Sequence, residues 1–384
     1  MLEEFYIEPF APGRIQWFGV DLMNIADLDT PSVVVDLDVL ERNVRHMAER
    51  AGETGVRLRP HAKTHKIPEV ARLQLAAGAR GISLAKTGEA EVFAAAGFDD
   101  VFLAYPVVGA EKARRLLALS DRVRLAVGTD GVEGASSLGG VFHPAGRRLD
   151  VLLKVDCGYH RVGVSPESAV EVARRIADLP GISVRGVFTH AGHAYLATTR
   201  EEVDAIARQE GEILAATAQV LRGAGLPVEE VSVGSTPTAR GAMAVEGVTE
   251  CRPGNYVYHD ASQVSLGTCG IGDCAMTVLA TVVSVPATDR AVLDCGSKTL
   301  SSDALRPRPS GHGWILGRKS RIDKLTEEHG VVRVEAGESF RVGEKVRILP
   351  NHACVVSNLH DRIVVARGDR VEGEWAVAAR GKVR

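Results

Sequence analysis

From residue 38 to about residue 265, short β-branched runs alternate with Ala-, Arg- and Glu-rich stretches of helical period. A hydrophobic period that switches repeatedly between 2 and 3.6 is the pattern of βα units, whose parallel strands need helices on their faces. Strand candidates are Val56–Pro60, Gly81–Leu84, Val101–Ala104, Arg124–Val127, Val151–Val155, Gly186–Thr189 and Glu230–Val233. Helices such as Asp38–Ala51 and Pro166–Ala177 separate them. The count approaches the eight strands of a (β/α)8 barrel.

Beyond residue 265 the helical pattern almost disappears, and Met276–Val285, Ala291–Asp294, Val331–Glu335, Lys345–Leu349 and Arg362–Arg367 alternate as strands do. A length of 384 residues suits one large barrel plus a smaller partner. Ser32–Leu37 has no helix before it, so the expected division is a barrel over 38–265 and a mainly β domain from 1–37 and 266–384. Leu300–Arg321, rich in Pro, Gly, Ser and Arg, reads as a long loop that is either mobile or folded over a site.

Composition narrows the function. The 46 basic and 49 acidic residues are spread along the chain, leaving no basic field for nucleic acid or anionic lipid and favouring small-molecule chemistry. The acidic start MLEEFYIEPF lacks a basic region followed by an apolar core, and no run approaches about 20 apolar residues. The expectation is a cytoplasmic protein. Cys157, Cys251, Cys269, Cys274, Cys295 and Cys354 are widely spaced and expected as free thiols.

Four segments carry chemistry. Arg59-Pro60-His61-Ala62-Lys63-Thr64-His65-Lys66 falls where the first barrel strand should end, the position of barrel active sites. A lysine there forms an imine with an aldehyde cofactor if a desolvated, cation-rich setting lowers its pKa, and His61 and His65 are at hand to supply that setting. These residues alone leave a basic surface loop open. Ser232-Val233-Gly234-Ser235-Thr236-Pro237-Thr238 follows a strand candidate, with glycine permitting close backbone approach and hydroxyls and amides to donate to a phosphate; a plain turn is the alternative. In Asp156-Cys157-Gly158-Tyr159-His160-Arg161, a polar cluster ends the strand Val151–Val155. Finally, His352 and Cys354 stand two apart on a segment read as extended, which turns both side chains to one face; imidazole plus thiolate suits zinc. Spacing alone leaves open a buried histidine beside an unrelated thiol.

PHAKTHK following DTPSVVVDL resembles the cofactor-lysine signature shared by D-serine dehydratases and D-threonine aldolases of the alanine-racemase-like, fold type III class. The likeness runs through nearly the whole chain. It implies an alanine-racemase-like TIM (β/α)8 barrel with a second, mainly β C-terminal domain. It also implies pyridoxal 5'-phosphate bound through Lys63 and a divalent metal, Zn2+ foremost, on His352 and Cys354. SVGSTPT resembles the family's SVGATPT phosphate motif, implying a cradle of Gly234, Ser235 and Thr236 completed by Gly254, Asn255 and Tyr256. Arg161 matches an arginine expected near the pyridine ring, where a cation opposes nitrogen protonation. Thr189-His190-Ala191-Gly192-His193-Ala194-Tyr195 looks like the dehydratase stretch, which sets His190, His193 and Tyr195 beside His61 and Lys63 as catalytic candidates.

His-x-Cys is the dehydratase pattern and His-x-Asp the aldolase pattern, so the resemblance points to loss of hydroxyl from D-serine or a related 3-hydroxy D-amino acid, giving a keto acid and ammonia. Retro-aldol cleavage of D-threonine is the alternative. A non-catalytic, barrel-only cofactor carrier is an alternative of another class, disfavoured by the long β domain, and an alanine racemase would have no need of the metal pair. A homodimer is expected from the same resemblance.

Overall fold

The computed structural model describes residues 23–304 and 311–384. Strand β1 (Ser32–Asp36) ends in a side chain that caps the next helix: Asp36 Oδ1 accepts from Val39 N at 3.1 Å, starting Leu37–Thr54, and Gly55 at φ 67° stops it. Eight parallel strands follow: β2 (Arg57–Leu58), β3 (Ile82–Leu84), β4 (Asp100–Pro106), β5 (Arg124–Thr129), β6 (Leu149–Lys154), β7 (Ile182–Phe188), β8 (Glu230–Val233) and β9 (Glu250–Cys251). Strands β3 to β9 pair in sequence order, and β9 pairs in turn with β2. The remaining gap is spanned by a bridge between His61 and Ser83, where Ser83 N donates to Pro60 O at 2.8 Å and Ala62 N to Ser83 O at 2.9 Å. The expected barrel is therefore present.

The candidates of the sequence correspond to these strands within a few residues. β9 was not among them, being two residues long. Pro166–Ala177 splits into a 3-10 turn over Pro166–Ser168, capped by the Ser165 side chain, and a helix over Ala169–Ala177. Inside the barrel, Phe102 and Phe188 meet edge to face at 5.1 Å above Leu152. Gly128 leaves them room, since a Cβ there would stand 2.4 Å from Phe188 Cζ. Beside these rings lies a buried ion cluster, with Arg59 Nε 2.7 Å from Glu250 and Arg59 Nη1 2.5 Å from Asp100. Breaking such a pair costs about 3–5 kcal/mol.

The second sheet holds β10 (Met276–Ala287), β11 (Arg290–Leu293), β12 (Trp314–Ile315), β13 (Arg321–Leu325), β14 (Gly330–Arg333), β15 (Lys345–Leu349), β16 (Arg362–Arg367) and β17 (Arg370–Ala376). β1 is inserted between β10, antiparallel, and β16, parallel. Residues 1–22, assigned to this domain from the sequence, lie outside the described residues, as do 305–310 of the expected long loop. The described part of that loop contains β12, and Asn351 Nδ2 donates to Asp303 O and Gly311 O, both at 2.8 Å, holding the two sides of 305–310. The β-sheet core takes in Leu37, Leu40, Val44, Ile67 and Val70 from the barrel side. That shared apolar contact sets residues 352–358 over the mouth of the barrel.

Candidate active site

A cavity of about 620 Å3 lies at the C-terminal ends of the barrel strands. His61, Lys63, Lys154, Arg161, His190 and Tyr195 line it from the barrel, His352 and Cys354 from the β domain.

The loop after β2 carries Lys63 and is clamped on both sides. Lys66, at φ 57°, reaches Glu89 at 3.2 Å and Asn358 Oδ1 at 2.8 Å, while its carbonyl accepts from Ala379 N at 3.1 Å. Burial lowers the Lys63 pKa; Arg161 and Arg252 act in the same direction, against the Cys354 charge. The amine is thus biased toward its neutral, nucleophilic form. The cationic setting does not come from the neighbouring histidines, as the sequence suggested. Burial and then Lys63 hold His61 far below the ordinary histidine value, and burial takes His65 down to about 3. His65 faces away from the cavity: its Nδ1 accepts from Ile67 N at 3.1 Å and its ring lies edge-on to Phe93.

Gly234 has φ 118°, and a Cβ there would come within 2.8 Å of Arg252 N and Cys251 Sγ, so only glycine lets this loop lie against β9. Its amide is already engaged by Glu210 Oε1 at 3.0 Å. Glu210 also accepts from Ala191 N at 3.2 Å and Thr238 Oγ1 at 2.6 Å, so one buried carboxylate fixes the loops after β7 and β8 together. The amides of Thr236, Gly254 and Asn255 make no hydrogen bond among the described residues, and Ser235, Thr236, Gly254 and Asn255 all line the cavity. Gly254 is required as well, since a Cβ would meet His61 O and Thr64 Oγ1 at 2.8 Å. Unengaged amides between two glycines that press the backbone against the next loop fit a phosphate group. Tyr256 is a correction: its ring is buried away from the cavity, its hydroxyl accepts from Gln74 Nε2 at 2.9 Å, and its part is to donate N–H to Thr236 Oγ1 at 3.0 Å.

Arg161 has no carboxylate partner among the described residues, and its guanidinium lies 4.9 Å from the centre of the Tyr159 ring. Asp156 instead shapes the loop, accepting from Gly158 N and His160 N at 3.0 Å. His190 faces the cavity as a neutral imidazole, its pKa driven far down by burial and then by Lys63 and Lys154. Tyr195 stays protonated, since burial and the Cys354 charge push its pKa up. His193 does not reach the cavity and is stacked behind Tyr159 at 6.4 Å, so a direct catalytic contact is not available to it.

Two cavity cations were absent from the sequence-derived candidates. Lys154, buried at the end of β6, lies 4.5 Å from the Phe188 ring centre without an ion-pair partner among the described residues, and burial, then Arg252 and Arg161, lower it to about 7. Arg252 is buried over Phe102 and Phe188 and donates to Thr189 O at 2.5 Å. A lysine closing the apolar run of β6 was the legible signal for the first.

His352 and Cys354 are not on an extended segment. His352 precedes the helix Ala353–Leu359 and Cys354 lies in its first turn, which still brings the two side chains into hydrogen-bonding contact. His352 Nδ1 and Asp303 Oδ2 are 2.7 Å apart. Cys354 Sγ is 3.2 Å from Thr64 Oγ1 and 3.8 Å from Asn255 Nδ2. Against burial, the Cys354 charge and then Asp303 push His352 up to about 11, while the His352 charge lowers Cys354. A thiolate held against an imidazole that a carboxylate orients is a donor set suited to a divalent metal of zinc type. Among the described residues no cluster of three or more His, Cys, Asp or Glu side chains is arranged to hold a metal.

Residues 35–262 match the family model described as alanine racemase, N-terminal domain, and residues 275–366 match a serine dehydratase domain. The chain belongs to the alanine-racemase-like, fold type III pyridoxal-phosphate family. Within it, the chain is 37% identical to a D-threonine aldolase of Arthrobacter sp., over 93% of this chain and 94% of that one. It is 35% identical to a D-threo-3-hydroxyaspartate dehydratase of Delftia sp., over 93% and 96%, and 30% identical to a D-serine dehydratase of Dictyostelium discoideum, over 90% and 95%. The crystal structure of a D-threonine aldolase from Filomicrobium marinum superposes with a TM-score of 0.86 at 34% identity, covering 97% of this chain and all of that one. A variant of a D-threo-3-hydroxyaspartate dehydratase has been solved in a metal-free form, with a TM-score of 0.86 at 35% identity over 92% of this chain and 98% of that one, so a metal is involved in that relative. Fold and family thus agree with the sequence. The family contains lyases of two kinds, and none of the described helices is long and apolar enough to cross a membrane.

Proposed function

We propose that this chain is a pyridoxal-phosphate- and metal-dependent lyase that converts D-serine or a related 3-hydroxy D-amino acid to a 2-oxo acid and ammonia. The observation that carries this reading is the meeting of Lys63 and the His352–Cys354 pair in one cavity, where the Cys354 charge acts on the Lys63 amine. When bound, the cofactor supplies an electron sink for charge at the substrate Cα and the metal a Lewis acid for the hydroxyl at Cβ. The residues divide the remaining work. Lys63, whose pKa burial lowers, is the group able to take a proton at Nζ. The amides of Thr236, Gly254 and Asn255, unengaged among the described residues, would hold the phosphate end, and Arg161, without a carboxylate partner among the described residues, would oppose protonation of the pyridine nitrogen, as the resemblance implies. His61 and His190, neutral, accept or donate hydrogen bonds without adding charge. Overall, D-serine loses water and regains it on hydrolysis, leaving pyruvate and ammonium.

The thiolate in the metal pair supports elimination, since the resemblance associates His-x-Cys with dehydratases. The match to a serine dehydratase domain over 275–366 supports it too, and speaks against a barrel-only cofactor carrier. The identity with the Arthrobacter aldolase supports the second reading, cleavage of D-threonine to glycine and acetaldehyde. Product analysis separates them: keto acid and ammonia from D-serine are expected, and glycine plus acetaldehyde from D-threonine with no ammonia from D-serine would establish the aldolase instead.

A further inference from the structure

The cofactor cradle and the metal pair belong to different parts of the chain, yet elimination needs Cα and Cβ of one substrate addressed together. Besides the 3.8 Å contact of Asn255 Nδ2 with Cys354 Sγ, a buried carboxylate hydrogen-bonds to both. Asp260 is fully buried and accepts three hydrogen bonds: from Gln263 N at 3.0 Å through Oδ1, and through Oδ2 from Asn255 Nδ2 at 2.6 Å and Ala353 N at 3.0 Å. Asn255 is a cradle residue, and Ala353 is the residue between His352 and Cys354. The backbone around Asp260 repeats the linkage, since Ala261 N donates to Pro350 O at 3.0 Å and Ser262 Oγ to Asn351 O at 2.6 Å.

The bond at Oδ1 needs no further explanation, because it caps the helix Ala261–Ser265. A serine would serve that purpose. The second oxygen joins two elements: it accepts from the first amide of the helix Ala353–Leu359, which has no partner inside that helix, and from the Asn255 side chain. Its two donors are 5 and 93 residues away, on either side of the cavity, and a buried carboxylate is costly unless its hydrogen bonds compensate. We propose that Asp260 is a positioning residue: its Oδ2 ties Asn255 to the Ala353 amide and thereby fixes the His352–Cys354 pair relative to the cofactor cradle. The proposal rests on the metal reading above. Asp260 touches neither reacting atom; it acts through the two groups it holds.

Asp260→Ser separates the two oxygens, keeping a cap acceptor for Gln263 N while withdrawing the acceptor shared by Asn255 and Ala353. The test is a titration of the metal-stripped holoenzyme with Co2+, read by affinity and by the thiolate-to-cobalt absorption band, with pyridoxal phosphate content measured in parallel. Supporting groups around a metal site are worth about 10–100-fold in affinity. A loss of that size with a weakened or shifted band, at unchanged pyridoxal phosphate content, is expected. If the serine variant does not fold, Asp260→Gly, an acceptable cap that also lacks the second oxygen, takes its place with the same expectation. Wild-type affinity and an unaltered band in the folded variant would overturn the inference. Failure of the wild type itself to bind Co2+ with a thiolate band would instead overturn the metal reading, and the positioning role with it.

Discussion

Asp303 and His352 are joined by a 2.7 Å hydrogen bond between Oδ2 and Nδ1, across 49 residues of sequence. The carboxylate occupies Nδ1 and restrains the imidazole's rotation, so Nε2 is the nitrogen left for a metal. Such a carboxylate partner raises the basicity of a ligand histidine. Asp303→Asn is therefore expected to weaken metal binding by about 10–100-fold and to leave pyridoxal phosphate content unchanged. Metal titration of the stripped protein checks it, and full retention would make Asp303 an ordinary surface partner.

Borohydride reduction of the cofactor-loaded protein should place a pyridoxyl group on Lys63 and nowhere else. Lys154 is the informative competitor, since it too is a cavity lysine of lowered pKa. It approaches the Phe188 face, whereas Lys63 sits on the loop between the phosphate cradle and the metal pair. Peptide mass mapping decides between them, and a label on Lys154 would displace Lys63 from its assigned role.

Two substitutions probe the cradle separately. Gly234→Ala forces a side chain into φ 118° and to within 2.8 Å of Arg252 N, so a loss of about 1–3 kcal/mol from backbone strain is expected in thermal or denaturant unfolding without cofactor. Thr236→Leu removes the hydroxyl that accepts from Tyr256 N and crowds the cavity, so it should raise the cofactor dissociation constant more than it changes metal content. Equal loss of cofactor and metal would place the cradle elsewhere.

The barrel was legible because its strands are apolar runs at regular spacing, and β9 was missed because Glu250–Cys251 is too short to show a period. The site was legible where a local motif carries it: Lys63, Gly234 and the His352–Cys354 pair. Single side chains working over long separations were not. Asp303, Glu210 and Asp260 meet their partners 49, 24 and 93 residues away, and nothing in their neighbours announces it. Tyr256 was misread because a sequence does not say to which side an aromatic next to Gly-Asn turns; Gln74 captured its hydroxyl in the wall. The extended reading of His352–Cys354 failed for a similar reason, since two side chains that meet across alternate strand positions meet equally well across a helix start.

Lys154 gives the cofactor-free protein a pH signature. In the fold it loses its proton near pH 7, while in the unfolded chain it does so near 10.5. Between those values the unfolded state binds the extra proton, so stability rises with pH. The penalty is complete below about pH 7 and gone by about 10.5. Lys154→Met should therefore be more stable than the wild type at neutral pH and below, with the advantage shrinking as pH climbs through that window. Denaturant melts of both proteins across the range test it, and a difference independent of pH would mean that packing alone, not charge, separates them.

The metal pair gives the sharpest separation of the two lyase reactions. His352→Ala and Cys354→Ala should each release the metal and abolish ammonia formation from D-serine, while Lys63 still takes the borohydride label, because the backbone amides assigned to the phosphate make no use of either side chain. Added metal should rescue a chelated wild type and not these variants. Cys354→Asp is the finer test. An aspartate at this position keeps an anionic ligand beside His352 but substitutes a hard oxygen for a soft sulfur, and it loses the 3.2 Å contact between Sγ and Thr64 Oγ1. Retained metal with products moving from ammonia toward glycine would show that the ligand at 354 helps choose which bond breaks. Retained metal with products unchanged would assign that choice to the cavity around the substrate. If Cys354→Ala keeps full metal and full D-serine activity, the thiol is only packing, and the elimination reading loses the residue that distinguishes it from the aldolase.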